Sequence, residues 1–438
     1  QGTLFICKGA AFKAEYLKNS MNQGAVCYVS EKKYELEKEV PYILVKGIRD
    51  AMAVLANFFY NKPWEDLAVI GFGGTKGKST STYYMKAVVD DYLAAQDKPE
   101  SAVISTIDIY DGKSKVESHI TTPEAVELQM HLRNALDCNI EYAEMEISSQ
   151  ALKYGRVDEM QFDVSVFLNI SEDHISPIEH PDFEDYFQSK MKMFEKSKTA
   201  VVNLDADYID QILEASKAAG EVVTFSTKNP EADYYAYNIH KEGKDIHFSV
   251  KCEAFDEEFV LTMPGFFNVE NALGVVAASV KLGIPTEYIH SGLRRARSSG
   301  RMEFYHSKDH EIMAIVDYAH NKLSFEKLFS AMKEEFPDYG LVAIFGCPGK
   351  KSLLRRKYLG TIAGQYSKMV YLVAEDPGYE PVEDISKEIA QYVEAQKCPY
   401  KMIEDRGEAI KDAIETAEGK TLLLVTGKGA ETRQKYGC

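Results

Sequence analysis

Short runs of β-branched and aliphatic residues alternate along most of the chain with longer stretches whose apolar positions recur every three or four residues. That alternation predicts α/β units built on parallel sheets. The expected strands are Leu67–Phe72, Ala102–Ile107, Tyr142–Ile147, Val164–Ile170 and Ala200–Asn203, then Ile312–Asp317, Leu341–Phe345, Met369–Ala374 and Leu422–Thr426. Between the two sets the period changes to two. Ile246–Cys252 alternates apolar and polar positions, Asp256-Glu257-Glu258 reads as a turn, and Phe259–Met263 follows, which predicts an antiparallel hairpin added to the first sheet. The Ala/Val-rich stretch from Asn268 to Leu282 reads as a buried helix capped by Asn268, and Ala296–Gly300 as a linker. The expected units are 1–61, 62–296 and 297–438: a small α/β unit, a central sheet with an antiparallel extension, and a C-terminal Rossmann-like sheet. Since the chain opens on Gln1, the first unit is expected to lack its natural start.

Composition narrows the partners. The 438 residues, 45% hydrophobic and 27% charged, suit a folded chain of several domains. With Lys plus Arg at 51 and Asp plus Glu at 68, the formal net charge is −17, which argues against an extended nucleic-acid surface. Any anionic ligand must be met locally. No apolar run is long enough to predict a membrane span, no signal peptide is read, and seven scattered Cys without a Cys-x-x-Cys pair argue for a reducing compartment; a cytoplasmic protein, monomeric and without membrane or nucleic-acid partners, is expected.

The sharpest chemical signal is Gly71-Phe72-Gly73-Gly74-Thr75-Lys76-Gly77-Lys78-Ser79-Thr80 between an expected strand and the expected helix Ser79–Ala94. Glycines let backbone N–H groups wrap a phosphate chain, Lys78 is placed to reach the β- and γ-phosphates, and Ser79 to ligate Mg²⁺. The strict P-loop spacing asks for Gly where Phe72 stands, leaving Gly71 or Gly73 as the first glycine.

Gly-Thr-Lys-Gly-Lys-Ser-Thr resembles the ATP loop of the Mur ligase superfamily, whose folate-extending relatives carry a similar loop. Later segments resemble one branch of it, the ligases that add the third amino acid to a UDP-N-acetylmuramoyl dipeptide. The resemblance spans nearly the whole chain and implies three domains, ATP and two Mg²⁺ ions. It assigns Thr121 and Thr122, in Thr121-Thr122-Pro123, to the substrate, although Thr-Pro also suits a helix N-cap. It makes Glu146, at the end of an apolar strand, a Mg²⁺ ligand with Ser79, and gives Ser148, Ser149 and Arg156 to the muropeptide. His174 would join a second metal site. Lys190 would be the carbamylated lysine that completes it, with Lys192 a nearby competitor; by composition alone Lys190 is a solvated helix lysine. His180 is read as structural, and no Ser-His-Asp arrangement is read from the spacing. Asn271, Arg301, Asp317, His320 and Asn321 would contact the nucleotide along with Gly74, Thr75, Lys76, Gly77, Lys78, Ser79 and Thr80.

Diaminopimelate-adding members carry Asp-Asn-Pro-Arg where this chain reads Glu375-Asp376-Pro377-Gly378. Losing the Arg that clamps a distal carboxylate, in an acidic stretch running to Glu380, favours a substrate with an ammonium tip. The resemblance is therefore to the L-lysine-adding subgroup, with Asp376 and Glu431 on the ammonium groups and Arg355 or Arg356 on the α-carboxylate. L-Ornithine or diaminopimelate, a folate-extending ligase and a P-loop kinase or nucleotide-binding module remain the alternatives. The expected chemistry is phosphoryl transfer from ATP to a carboxylate, with Lys78, Glu146, His174 and Lys190 as the catalytic set, followed by attack of an amine.

Overall fold

The computed structural model describes residues 2–9, 12–172, 175, 179–243, 245–298, 300–350, 353–429, 431 and 433–437, and among them the strands form three sheets. The first is parallel: β1 (Thr3–Ile6), β2 (Ala25–Ser30) and β3 (Tyr42–Leu44). The central sheet contains β4 (Ala68–Gly73), β5 (Ala102–Ile104), β6 (Asp108–Tyr110), β7 (Lys115–Glu117), β8 (Tyr142–Ile147), β9 (Phe162–Phe167), β10 (Ser197–Asn203), β11 (Glu221–Ser226), β12 (Tyr234–Glu242), β13 (Asp245–Lys251) and β14 (Asp256–Leu261), in the order 14-13-12-11-10-9-4-8-5-6-7. The third has β15 (Glu303–His306), β16 (Ile312–Asp317), β17 (Gly340–Phe345), β18 (Met369–Leu372), β19 (Tyr400–Met402) and β20 (Thr421–Thr426), in the order 15-16-20-17-18-19, with β15 antiparallel.

β4 lies between β8 and β9, parallel to both. Its alternation serves two cores: Ile70 and Phe72 pack with Tyr84, Met85 and Val275, whereas Val69 packs with Leu128 and Leu132 on the opposite face. Burial on both faces explains why the strand reads as an unbroken apolar run. The helix Phe267–Lys281 closes one face, burying Val269, Leu273, Val275 and Val276 at about 1.5–3 kcal/mol each. Strand order reverses beside β4, so the carboxyl ends of β4, β8 and β9 open onto one crevice.

Three local expectations are corrected. The run Ala102–Ile107 stops as a strand at Ile104, because Ser105 Oγ accepts from the N–H groups of Ile107 (3.0 Å) and Asp108 (3.2 Å) and turns the chain into the β6–β7 meander. Asp256–Glu258 is strand and not turn: all three residues pair with β13, their side chains exposed. Asn268 lies inside its helix, whose cap position is Phe266, and donates to the Pro264 carbonyl at 2.7 Å.

Candidate functional site

The loop after β4 is shaped by two glycines with left-handed φ, Gly74 at +142° and Gly77 at +85°. A Cβ on Gly77 would sit 2.2 Å from Asn271 Oδ1, so only glycine fits there. Gly71, in contrast, lies within β4, where Ile147 and Phe162 fill the space of a side chain; it is not part of the phosphate loop. Asn169 braces the loop, accepting from Lys76 N–H at 2.8 Å and donating to Lys76 O at 3.1 Å, while Thr75 Oγ1 is 2.9 Å from the Tyr186 hydroxyl. Lys78, the first residue of the helix Lys78–Ala94, curls back to donate to the carbonyls of Gly74 (3.0 Å) and Thr75 (3.2 Å). Its ammonium thus sits at the loop's mouth beside the helix N-terminus, where a phosphate chain gains most from both.

At the ends of β8 and the neighbouring loops lies a hydroxyl-rich wall. Glu146 is buried and accepts at Oε1 from Thr106 N–H (2.8 Å). Thr106 Oγ1 donates to Thr121 Oγ1 (3.2 Å), and Thr122 Oγ1 donates to Glu146 O (2.9 Å) while accepting from Ser148 N–H (3.1 Å). Thr122 is therefore a bridge between segments and not a helix cap; the following helix, Ala125–Asp137, starts after Glu124 with no side-chain cap. Arg156 donates to Thr122 O (3.1 Å) and pairs with Glu124 (2.9 Å), which also pairs with Lys8. Lys190 is buried, not solvated, and donates to Gly74 O at 2.8 Å, directly behind the phosphate loop. Lys192 is exposed. His174 lies outside the described residues.

A cleft between the central and third sheets is lined by Lys76, Gly77, Thr80, Asn271, Arg301, Asp317 and His320. Arg301 crosses it, donating to Ser79 Oγ (3.2 Å) with its guanidinium 4.5 Å from the Tyr318 ring centre. Asp317 accepts from the N–H groups of Met302 (3.0 Å) and Ala319 (2.7 Å); desolvation pushes its carboxyl up, opposed by Arg301. Asn321 has another task than the one expected: its side chain caps the helix Lys322–Glu335 in a capping box with Ser324.

The third sheet's carboxyl edge also departs from expectation. Arg356 is buried and held bidentately by Glu380 (2.9 and 2.8 Å) and by Glu388 (2.5 Å), leaving it no fork for a substrate carboxylate. Asp376 is tied to Lys428 Nζ (2.8 Å) and Lys435 N–H (2.9 Å). That leaves Glu375: buried, with Oε2 lacking a hydrogen-bond partner, its carboxyl pushed up to about 7 by desolvation despite Arg406, Arg355 and Lys428 nearby. Glu431 accepts from Gly429 N–H (2.6 Å) and shares a small cavity with Thr106, Glu117, Arg301 and Tyr318. Thr106, Tyr318 and Glu117 were missed from sequence, where nothing marked them; the orphaned oxygen of Glu375 emerges only once its neighbours' pairings are seen.

A glycine loop at the switch point of one parallel sheet, facing a second sheet across an arginine-spanned cleft, is the arrangement of a P-loop nucleotide-binding protein with a second α/β sheet beside it. The comparisons narrow this. The Mur ligase middle domain matches residues 73–279, and the Mur ligase glutamate ligase domain residues 300–429. The UDP-N-acetylmuramoyl-L-alanyl-D-glutamate–L-lysine ligase of Enterococcus faecalis is 37% identical over 99% of this chain and 85% of its own length. The UDP-N-acetylmuramyl-tripeptide synthetase of Lactobacillus acidophilus is 33% identical over 99% of the chain and 86% of its own. The chain belongs to the Mur ligase family, and is a ligase. Solved structures share its fold: a UDP-N-acetylmuramoyl-L-alanyl-D-glutamate–2,6-diaminopimelate ligase at TM-score 0.68 and 24% identity, over 100% of this chain and 88% of that one, and a Mycobacterium tuberculosis folylpolyglutamate synthase at 0.69 and 15%, over 86% and 91%. No described helix is long and apolar enough to cross a membrane.

Proposed function

We propose that the chain joins L-lysine to UDP-N-acetylmuramoyl-L-alanyl-D-glutamate at the expense of ATP, as a cytoplasmic monomer whose three units, 1–61, 62–296 and 297–438, serve the UDP-sugar, ATP and the amine. The observation that carries the choice of amine is Glu375, the carboxylate that the third sheet leaves with a buried oxygen lacking a hydrogen-bond partner. Gly378 has open space around its Cα, so no side chain reaches in to meet a distal carboxylate. An ammonium tip satisfies Glu375; a second carboxylate there would face repulsion.

In the reaction a substrate carboxylate attacks the γ-phosphate of ATP, ADP leaves, and the amine then displaces phosphate from the acyl phosphate. Lys78 and the loop N–H groups hold the phosphates and take up charge as it builds on the transferring group. Lys76, Asn271, Arg301, Asp317 and His320 line the nucleotide's cleft, with Arg301 joining it to Ser79. Thr121, Thr122, Ser148, Ser149 and Arg156 orient the acyl substrate. Arg355 replaces Arg356 as the candidate for the amine's α-carboxylate, since it makes no ion pair among the described residues. The oxygen donors of Ser79 and Glu146 suit a hard cation such as Mg²⁺, and His174 with a carbamylated Lys190 would complete a second site. Bound there, Mg²⁺ would offset phosphate charge. N-carboxylation of Lys190 would turn the cation now spent on Gly74 O into an anion beside the loop.

The test supplies the dipeptide, ATP and Mg²⁺ with lysine, ornithine, diaminopimelate or glutamate, measuring amide product and phosphate together. Lysine is expected to give the highest kcat/KM, with phosphate and product in equal amounts. Preference for diaminopimelate would overturn the argument from Glu375 and Gly378.

A further inference from the structure

The antiparallel end of the central sheet carries a side-chain cluster that the reaction does not use. Among the described residues, His240, His247 and Glu258 are the one group of three histidine, cysteine or acidic side chains whose ligand atoms all lie within 4.8 Å of one another. Sheet geometry brings them together. His240 on β12 pairs with His247 on β13, and Glu258 on β14 pairs with Ser249, two residues from His247 and so on the same face. That face is turned away from the core, since Ile246, Phe248 and Phe259, which alternate with these residues, are buried. His240 owes its place to a bulge: Asn238 and Ile239 together stand opposite Phe248, with Asn238 at φ +51°. Without the extra residue His240 would fall on the core face.

Each imidazole has a partner for one nitrogen and leaves the other for a ligand's work. His240 Nδ1 donates to the Asn238 carbonyl at 2.8 Å; a carbonyl only accepts, so the neutral ring keeps its lone pair on Nε2. His247 Nε2 faces Glu242 Oε2 at 3.7 Å, while its Nδ1 lies 3.3 Å from Glu258 Oε2. A carbonyl and a carboxylate behind the two rings are the supports that orient metal-bound histidines. Ligands about 2.0–2.2 Å from a tetrahedral ion stand about 3.4 Å from one another. His247 and Glu258 already have that spacing, and the remaining separations close by rotation of exposed side chains.

We propose that His240, His247 and Glu258 bind a borderline divalent cation of the Zn²⁺ class, with water in the fourth position, as a clip across β12, β13 and β14. Two imidazoles select against Mg²⁺, which holds to oxygen donors. The site is also separate in place from Ser79 and Glu146, because β10 and β11 stand between it and the crevice beside β9. The clip steadies the strand that reaches the third sheet's unit: Lys241, between His240 and Glu242, lies 3.5 Å from Glu335 and 4.6 Å from the centre of the Phe336 ring.

Calorimetric titration of the full chain with Zn²⁺, in excess Mg²⁺, tests it. A site with Kd tighter than about 100 μM is expected, and each of His240→Ala, His247→Ala and Glu258→Gln should weaken it at least tenfold. Weaker binding by the wild type, or a smaller loss from any of the three changes, would overturn the proposal. Two measurements on the wild type do not depend on how the variants fold. X-ray absorption of the 1:1 Zn²⁺ complex should show nitrogen and oxygen ligands with two imidazoles, and sulfur ligation or the lack of imidazole would overturn it. Zn²⁺ should slow amide hydrogen exchange in β12, β13 and β14, and unchanged exchange there would overturn the clip.

Discussion

Glu375→Gln isolates one buried carboxylate. In the ligand-free protein the Glu375 carboxyl is held at about 7 against an ordinary 4.5, chiefly because burial disfavours its charge. At ~1.4 kcal/mol per pH unit, that corresponds to about 3 kcal/mol in favour of the protonated form. The folded chain therefore keeps this proton at pH values where the unfolded chain has lost it. Stability falls as pH rises from about 4.5 to about 7, and the full cost persists above. Glutamine matches the protonated shape and carries no such cost, and Arg406 keeps its own bonds to the carbonyls of Thr426 and Ala374. The gain from the substitution should be about 2 kcal/mol larger at pH 8.5 than at pH 5.5. By calorimetry on ligand-free protein this is a rise of roughly 4–8 °C in the transition that includes the third sheet. Lysine should stabilise the wild type at pH 8.5 and fail to stabilise the variant. A gain equal at both pH values, or larger in acid, would refute the reasoning.

Three other substitutions separate the work of the phosphate loop from that of the third sheet. Lys78→Ala should cut ATP-dependent phosphate release by about a thousandfold or more while leaving dipeptide binding, followed by calorimetry, unchanged. Gly77→Ala, forced to φ +85° with its Cβ 2.2 Å from Asn271 Oδ1, should weaken binding of a non-hydrolysable ATP analogue at least tenfold. Arg356→Met should lower the stability of the third sheet by about 2–3 kcal/mol, less than a wholly buried pair because Glu388 is half-exposed, with KM for the amine changed less than about threefold. A selective rise in that KM would return Arg356 to the substrate.

The parallel strands were legible because strands buried on both faces must be written in apolar runs, and β4, β17 and β20 are written so. The helix Lys78–Ala94 was legible from the glycine loop that opens it. Edges were not. β6 and β7 are three residues each, partly exposed, and made by Ser105 turning the chain, which no periodicity announces. β14 begins with three exposed acidic residues, and a charged edge reads as a turn until its pairing with β13 is known.

Site residues divide on the same physical line. Lys78, Glu146 and Thr122 could be singled out because their places in the structure follow from position along a strand–loop–helix unit. The charges of the third sheet could not be ranked, because a carboxylate is defined by what faces it. The sequence offers Glu375, Asp376 and Glu380 as one acidic stretch, yet Lys428 neutralises Asp376 and Arg356 neutralises Glu380, over 52 and 24 positions of chain. What remains is a single orphaned oxygen on Glu375. The net charge of −17 is thus no obstacle to polyanionic substrates: Lys76, Lys78 and Arg301 lie together at the loop and its cleft, while much of the acidity of the Glu375–Glu380 stretch is consumed in internal pairs. Specificity for a cationic amine, on this reading, comes from the one carboxylate of that stretch with an oxygen that no hydrogen bond satisfies.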